Sequence, residues 1–266
     1  MKILITGGKG FVGSYLANNL RADNIVAVGK DKLDLLNPQQ VNEFFNNFQF
    51  DVVIHTALVG REQLFSTDPK YLNENLLMFT NLYNNRQKFG RLFNLGTAYE
   101  YDLTKDNRFV HEESVINYLP NTSYGLAKNI IARIIKETDN FYNFRLFGVF
   151  HHTEKETRFF KKLSLQKTIN ISNDIYFDYI SLDDLVLIIK YFLNNTHSVR
   201  DINCVYHEKF RLSHLAKKFC EIHNLDQANI LVEKKGNNNL TGNATKLMLI
   251  PVKLAGLDAG LKLYQV

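Results

Sequence analysis

Ile5-Thr6-Gly7-Gly8-Lys9-Gly10-Phe11-Val12-Gly13 decides the fold of this chain. A short apolar run from Met1 to Thr6 leads into glycines spaced Gly7-x-x-Gly10-x-x-Gly13. Just downstream, Phe11, Val12, Tyr15, Leu16 and Leu20 fall on one face of a helix. Strand, glycines and helix, in that order, present free backbone amides to a pyrophosphate at a helix N-terminus. One glycine permits the tight turn, one lets the pyrophosphate approach, and one lets helix and strand pack closely. The plain alternative is an ordinary strand-to-helix turn. A second strand over residues 24–29 favours dinucleotide binding instead.

Working outward, strands and helices alternate. Residues 39–48 carry helical periodicity, and 51–55 read as a buried parallel strand. Pro69 opens a helical pattern reaching residue 88, and 91–95 form a further strand. A helix over 125–138 precedes a strand over 143–147. This succession predicts an α/β fold, a doubly wound parallel Rossmann sheet with right-handed crossovers. Ligands of such sheets sit beyond the carboxyl ends of the strands, where Gly7, Ala57 and Thr97 fall. Later, 182–193 and 213–223 look helical, whereas 150–173 and 236–245 look loop-rich or mixed. The expected division is a dinucleotide-binding domain over 1–148 plus about 178–203, with a smaller C-terminal substrate-binding lobe over about 149–177 plus 204–266.

The 266 residues are 45% apolar and 22% charged, ordinary globular composition that argues against disorder. The net charge of +5 is dispersed in pairs such as Lys161-Lys162 and Lys234-Lys235, and no nucleic-acid-binding motif accompanies it. A mildly positive cleft suits phosphorylated cofactors and substrates. The first residues read as a strand and not a leader, and the apolar run 185–193 contains Lys190 and is too short to span a bilayer. Cys204 and Cys220 lack a paired-thiol motif, which fits a reduced cytosol and a cytoplasmic protein. His151-His152 with Glu154 and Glu156 could suggest a metal, but adjacent histidines in a loop rarely share one ion, so none is expected.

Tyr124 and Lys128 form a Tyr-x-x-x-Lys pair on one face of the helix that begins there. An ammonium beside a phenol lowers the phenol's pKa and suits it to exchange a proton with a carbonyl or alcohol. Tyr101 and Lys105 repeat the spacing, in a polar segment without apolar periodicity that reads as a surface loop. Only Tyr124-Lys128 opens an amphipathic helix and follows Leu95-Gly96-Thr97, a strand end whose hydroxyl could share the same substrate oxygen.

Together with Asp34-Leu35, His55-Thr56-Ala57 and Asp178-Tyr179-Ile180-Ser181-Leu182-Asp183-Asp184, these motifs resemble an extended short-chain dehydrogenase/reductase. The similar branch comprises sugar-nucleotide epimerases, dehydratases and reductases, with matching motifs from residue 2 to about 184. The resemblance implies that Tyr124 is the acid/base and that Lys128 binds the nicotinamide ribose while tuning it. It implies that Thr97 bonds the reacting oxygen and Ala57 lines the nicotinamide side. Gly7, Gly10, Phe11, Val12 and Gly13 would cradle the pyrophosphate, with Asp34 and Leu35 at the adenine edge. Tyr99 and Arg158 are candidate substrate contacts. A homodimer is the default by analogy.

An NAD-selective pocket usually ends the second strand with an acid on the ribose 2′-hydroxyl. Here Gly29 stands there, followed by Lys30, and Lys9 sits inside the glycine loop. Two ammonium groups suit a 2′-phosphate, as in the similar GDP-fucose synthases, so NADP(H) is favoured; Asp31 could still reach the ribose, which keeps NAD(H) open. Dehydratases of the branch carry Thr-Asp-Glu where this chain has Thr97-Ala98-Tyr99, so dehydration is not expected. GDP-fucose synthases place a cysteine where Tyr99 stands and a histidine near Phe150, and neither is present at the aligned position. The stretch 97–102 is similar to dTDP-4-dehydrorhamnose reductases. Expectation therefore rests on an NADPH-dependent reductase of a nucleotide-linked 4-keto(-6-deoxy) sugar. A 4-epimerase with retained NAD(P) is the alternative, and a non-catalytic NADP-binding regulator the alternative of another class.

Overall fold

The computed structural model describes residues 1–20, 24–60 and 62–266. The first elements are β1 (Lys2–Thr6), α1 (Phe11–Asn19), β2 (Asn24–Val28), α2 (Pro38–Asn47), β3 (Phe50–His55), α3 (Pro69–Asn84) and β4 (Phe89–Thr97). Next come β5 (Asn107–Val110), α4 (Ser123–Lys136), β6 (Phe141–Leu146), β7 (Gly148–Phe150), α5 (Phe159–Ser164), β8 (Ile169–Ile171) and β9 (Tyr179–Ser181). The last are α6 (Leu182–Asn194), β10 (Asp201–Cys204), α7 (Leu212–His223), β11 (Ile230–Val232), β12 (Leu240–Gly242), α8 (Thr245–Met248) and α9 (Leu257–Lys262).

The helices start where side chains satisfy their free amides. Asn37 accepts from Gln40 N at 3.1 Å ahead of Pro38, and Asp68 accepts from Lys70 N at 2.9 Å ahead of Pro69. Thr122 caps α4 by accepting from Gly125 N at 3.2 Å. The third helix stops at Asn84, short of the expected residue 88, because Arg86–Lys88 tighten into a 3-10 turn.

Six strands form one sheet in the order β10-β6-β4-β3-β1-β2, and β1 pairs in parallel with both β2 and β3. The chain therefore reverses direction across the sheet at β1, between β2 on one side and β3 on the other. That reversal opens a crevice beyond the ends of β1 and β3, where Gly7 and Ala57 stand. The expected Rossmann sheet is observed, with β10 as a sixth strand that the periodicity did not mark.

The chain divides into two compact units, Met1–Asp102, Glu113–Arg145 and Phe192–Ile202 in one, and Leu103–Glu112, Leu146–Tyr191 and Asn203–Val266 in the other. In the first, Leu4, Val41, Phe45, Val53, Phe79 and Ile131 build the core between sheet and helices. In the second, Phe150, Phe160, Leu215, Phe219, Leu261 and Tyr264 form a separate core. Three small parallel pairs, β5 with β12, β7 with β9 and β8 with β11, belong to this second unit. Both cysteines are free and buried. Among the described residues no helix is long and apolar enough to cross a membrane.

Candidate active site

The glycine loop is shaped for a close ligand. Gly7 has φ +71°, and a Cβ there would lie 2.7 Å from Ala57 N. A Cβ on Gly13 would run into the Gly7 carbonyl and the Thr56 hydroxyl, which itself bonds Thr6 O at 2.7 Å. Gly10 begins α1 in an extended conformation with no side-chain cap, and the first turn holds no acidic residue. These features fit a dinucleotide: the helix N-terminus has neither a side-chain cap nor an acid in its first turn to compete with an anion, and the glycines let the anion approach the backbone. Phe11 and Val12 open the helix from that loop.

At the end of β2, the volume that a residue-29 side chain would take is filled by Lys9. Its Cδ lies 2.9 Å from where a Gly29 Cβ would stand. Lys9 Nζ meets Asp31 Oδ1 at 2.8 Å, and Lys30 Nζ meets Asp34 Oδ2 at 3.5 Å. The hydrogen bond from Lys9 holds the Asp31 carboxyl below its usual range. Both ammonium groups are solvent-exposed. Asp34 also accepts from Leu36 N at 3.0 Å, which fixes the turn. The Leu35 side chain points into the core, and its carbonyl accepts from Asn81 at 2.7 Å.

Thr97 ends β4 and caps the 3-10 turn Ala98–Glu100, its hydroxyl oxygen accepting from Tyr99 N at 3.3 Å. The hydroxyl proton is left to donate. Tyr124 and Lys128 are both buried, one turn apart in α4. The Tyr124 ring meets Tyr99 edge-on at 6.2 Å, and Tyr99 in turn meets the exposed Phe65 at 5.9 Å. Lys128 Nζ donates to Leu95 O at 3.3 Å, two residues before Thr97. The first unit thus gathers the Tyr124-Lys128 helix against the Thr97 end of β4. Burial lowers Lys128 to about 8, against the pull of the Glu100 carboxylate. His55, fully buried at the end of β3, shares a 2.9 Å hydrogen bond with the Thr6 hydroxyl and is lowered to about 3 by burial and then by Lys128.

Two expectations change. Tyr101 lies in a turn, as its polar neighbours predict, but it is no surface residue: its ring is buried under the Arg145 guanidinium, 5.1 Å from the ring centre. Arg158, in the second unit, is committed to that unit's interior. Its Nε donates to Glu154 at 2.7 Å and an Nη to the Val149 carbonyl. Glu154 also accepts from the Tyr264 hydroxyl at 3.0 Å, and Glu156 pairs with Lys167 at 2.7 Å.

Sequence reasoning passed over Glu100, Asn143, Arg145 and Asp201, which form a buried network beneath Thr97. The available signal was Phe141-Tyr142-Asn143-Phe144-Arg145-Leu146. In a strand buried along its whole length, two polar residues at alternate positions share one face.

Residues 3–204 match the NAD dependent epimerase/dehydratase family. The chain belongs to that family. Members typically use a pyridine dinucleotide. A GDP-L-fucose synthase of Azorhizobium caulinodans is 30% identical over a match covering 54% of this chain and 48% of that protein. A probable dTDP-glucose 4,6-dehydratase of Sinorhizobium fredii is 27% identical, covering 48% of this chain and 46% of that protein. The chain spans about half the length of these curated relatives in the matched stretch. Among solved structures, the GDP-mannoheptose C4 reductase of Campylobacter jejuni with NADP bound is similar in fold, with TM-score 0.83, 21% identity, and 99% and 96% of the two chains covered.

Proposed function

We propose that this member of the family is an NADPH-dependent reductase of a nucleotide-linked 4-keto(-6-deoxy) sugar. The observation that carries this is the buried Tyr124-Lys128 pair packed against the strand end that bears Thr97. A bound NADPH supplies the hydride to the ketone carbon. Tyr124 gives its phenolic proton to the ketone oxygen, so the carbonyl becomes an alcohol and the phenolate is reprotonated from solvent. Thr97 donates a hydrogen bond from its hydroxyl to that oxygen and steadies it. Lys128 holds the nicotinamide ribose, and its charge stabilises the phenolate. Gly7, Gly10, Phe11, Val12, Gly13 and Ala57 hold the dinucleotide, with Asp34 and Leu35 at its adenine end and Lys9 and Lys30 on the 2′-phosphate.

The nucleotide sugar is assigned to residues about 149–177 and 204–266. The matched reductase with NADP bound supports the cofactor form. Elimination of water is disfavoured because Glu100, the carboxylate nearest Thr97 in sequence, is buried on Arg145 at 2.6 Å. A retained-cofactor 4-epimerase is the second possibility, favoured by Asp31, which stands where it could take a ribose hydroxyl once Lys9 moves.

Loss of NADPH absorbance with a panel of nucleotide-linked 4-keto sugars tests the assignment. Isomerisation without net NADPH loss selects the epimerase, and cofactor binding with neither selects a regulator. Tyr124→Phe is expected to lower kcat by roughly a hundredfold or more while leaving the NADPH Kd within a factor of about two. An active Phe variant removes Tyr124 from the proton step.

A further inference from the structure

We propose that Glu100 is a positioning residue of this site. From inside a buried carboxylate–guanidinium network it fixes the Thr97 peptide and supplies the anion that compensates the buried ammonium of Lys128. The proposal rests on the roles just given to Thr97 and Lys128.

Glu100 has no exposed surface, and both of its carboxylate oxygens are engaged. One oxygen accepts the Thr97 N–H at 2.9 Å. The other takes Arg145 Nε at 2.6 Å and Asn143 Nδ2 at 3.2 Å. Its own carbonyl accepts from Asn129, the residue after Lys128, at 2.8 Å. One side chain and its peptide therefore join the end of β4, strand β6 and the α4 turn that carries Lys128. Arg145 continues to Asp201 on β10 through contacts of 3.1 and 3.2 Å, and Asn143 is itself held by Asn94 at 2.7 Å.

Stability alone is a poor reason for this arrangement. Buried ion pairs are often matched or bettered by apolar residues of similar volume, whereas removing one partner is strongly destabilising. Charge balance gives a better one. The ionisable groups around the end of β4 include Lys128 and Tyr124 from α4, Arg145 from β6, Asp201 from β10, His55 from β3, Tyr99, Tyr101, and Glu100 itself. His55 is neutral; burial raises Glu100 and the Arg145 guanidinium at 2.6 Å opposes that rise, so in the ion-paired form two cations face two carboxylates. Arg145 is shared between both acids, and without Glu100 two buried cations would face Asp201 alone. Burial pushes Lys128 down to about 8 and the Glu100 charge opposes that fall, while Asn129, the next residue, ties the Lys128 turn to the Glu100 carbonyl at 2.8 Å.

The test separates charge from contact. Glu100→Gln keeps an oxygen for the Thr97 N–H and removes the charge; Glu100→Asp keeps the charge and draws the oxygen away from Thr97. Lysine 13Cε NMR titrations, with the Lys128 signal assigned by Lys128→Arg, read the ammonium in protein without cofactor or substrate. The Gln variant is expected to move the Lys128 midpoint down by about one pH unit or more, and the Asp variant to keep it. The Asp variant is expected to lower kcat about tenfold with the KM for NADPH unchanged. An unmoved Lys128 midpoint in a folded Gln variant overturns the charge role. Full kcat in a folded Asp variant overturns the role toward Thr97. If the Gln variant does not fold, Asp201→Asn replaces it: the midpoint then moves far less than one unit if Glu100 is the compensating anion, and a full-unit fall assigns the role to Asp201. Wild-type protein that reduces no keto sugar, but whose Lys128 responds to Glu100 as described, refutes the reductase assignment and leaves the network standing.

Discussion

His55 shows how one side chain turns a packing requirement into a pH dependence. Its ring is fully buried at the end of β3 and is lowered from 6.5 to about 3. An unfolded chain therefore binds a proton between those values that the native protein refuses. Stability from this group is fully present above 6.5 and is lost as the pH falls through the window, by about 1.4 kcal/mol for each unit. Asp178, raised to about 6 by burial against the pull of Lys209, works in the opposite sense between 3.8 and 6, since the native protein holds its proton longer. Comparing variant with wild type cancels that contribution. His55→Asn is expected to flatten the fall of Tm between pH 6.5 and 4, and an unchanged slope would place the acid sensitivity elsewhere. The proposed cofactor form also rests on single residues. Lys9→Ala with Lys30→Ala should weaken NADPH binding at least about tenfold more than NADH binding; equal losses in a fluorescence titration would refute the 2′-phosphate role. At this scale the sequence exposed Tyr124, Lys128 and Thr97 because their spacing and context are local. It hid Glu100 and Arg145, whose 2.6 Å contact bridges 45 positions.

Among elements, the turn from β1 into α1 was legible because its glycines recur at a fixed spacing within nine residues. Gly13 has no room for a methyl group against the Gly7 carbonyl and Thr56 hydroxyl. Gly13→Ala is therefore expected to displace the loop, weaken NADPH binding by at least about tenfold and lower stability by about 1–3 kcal/mol. Calorimetry and cofactor titration check both, and an alanine variant with native affinity would show that the loop yields without loss. The strands of the large sheet other than β10 were legible as apolar runs, since strands covered on both faces lose their alternation. The small pairs were not. The fifth strand meets β12 more than a hundred residues later, register shifts between Leu240 and Gly242, and neither strand has an apolar face of its own to announce it. The polar positions of β6 were the legible sign of the buried network, because an arginine in a fully covered strand requires partners.

For the whole molecule, the division into two compact units gives cofactor binding a measurable signature. Every residue proposed to hold the dinucleotide lies in the unit that contains Met1–Asp102 and Glu113–Arg145. A ligand that binds only the native state stabilises it by about 2.7 kcal/mol at a hundred times its Kd. For a folding unit of some 150 residues that corresponds to a rise in Tm of about 5–10 °C. NADPH should produce this rise in scanning calorimetry, and Gly13→Ala and the Lys9, Lys30 double variant should reduce it. If unfolding resolves into two transitions, the one that moves with NADPH must be the one that Glu100→Gln lowers, since both act on the first unit. A transition that responds to NADPH but not to Glu100 would place the dinucleotide outside the unit built around Gly7, Thr97 and Tyr124.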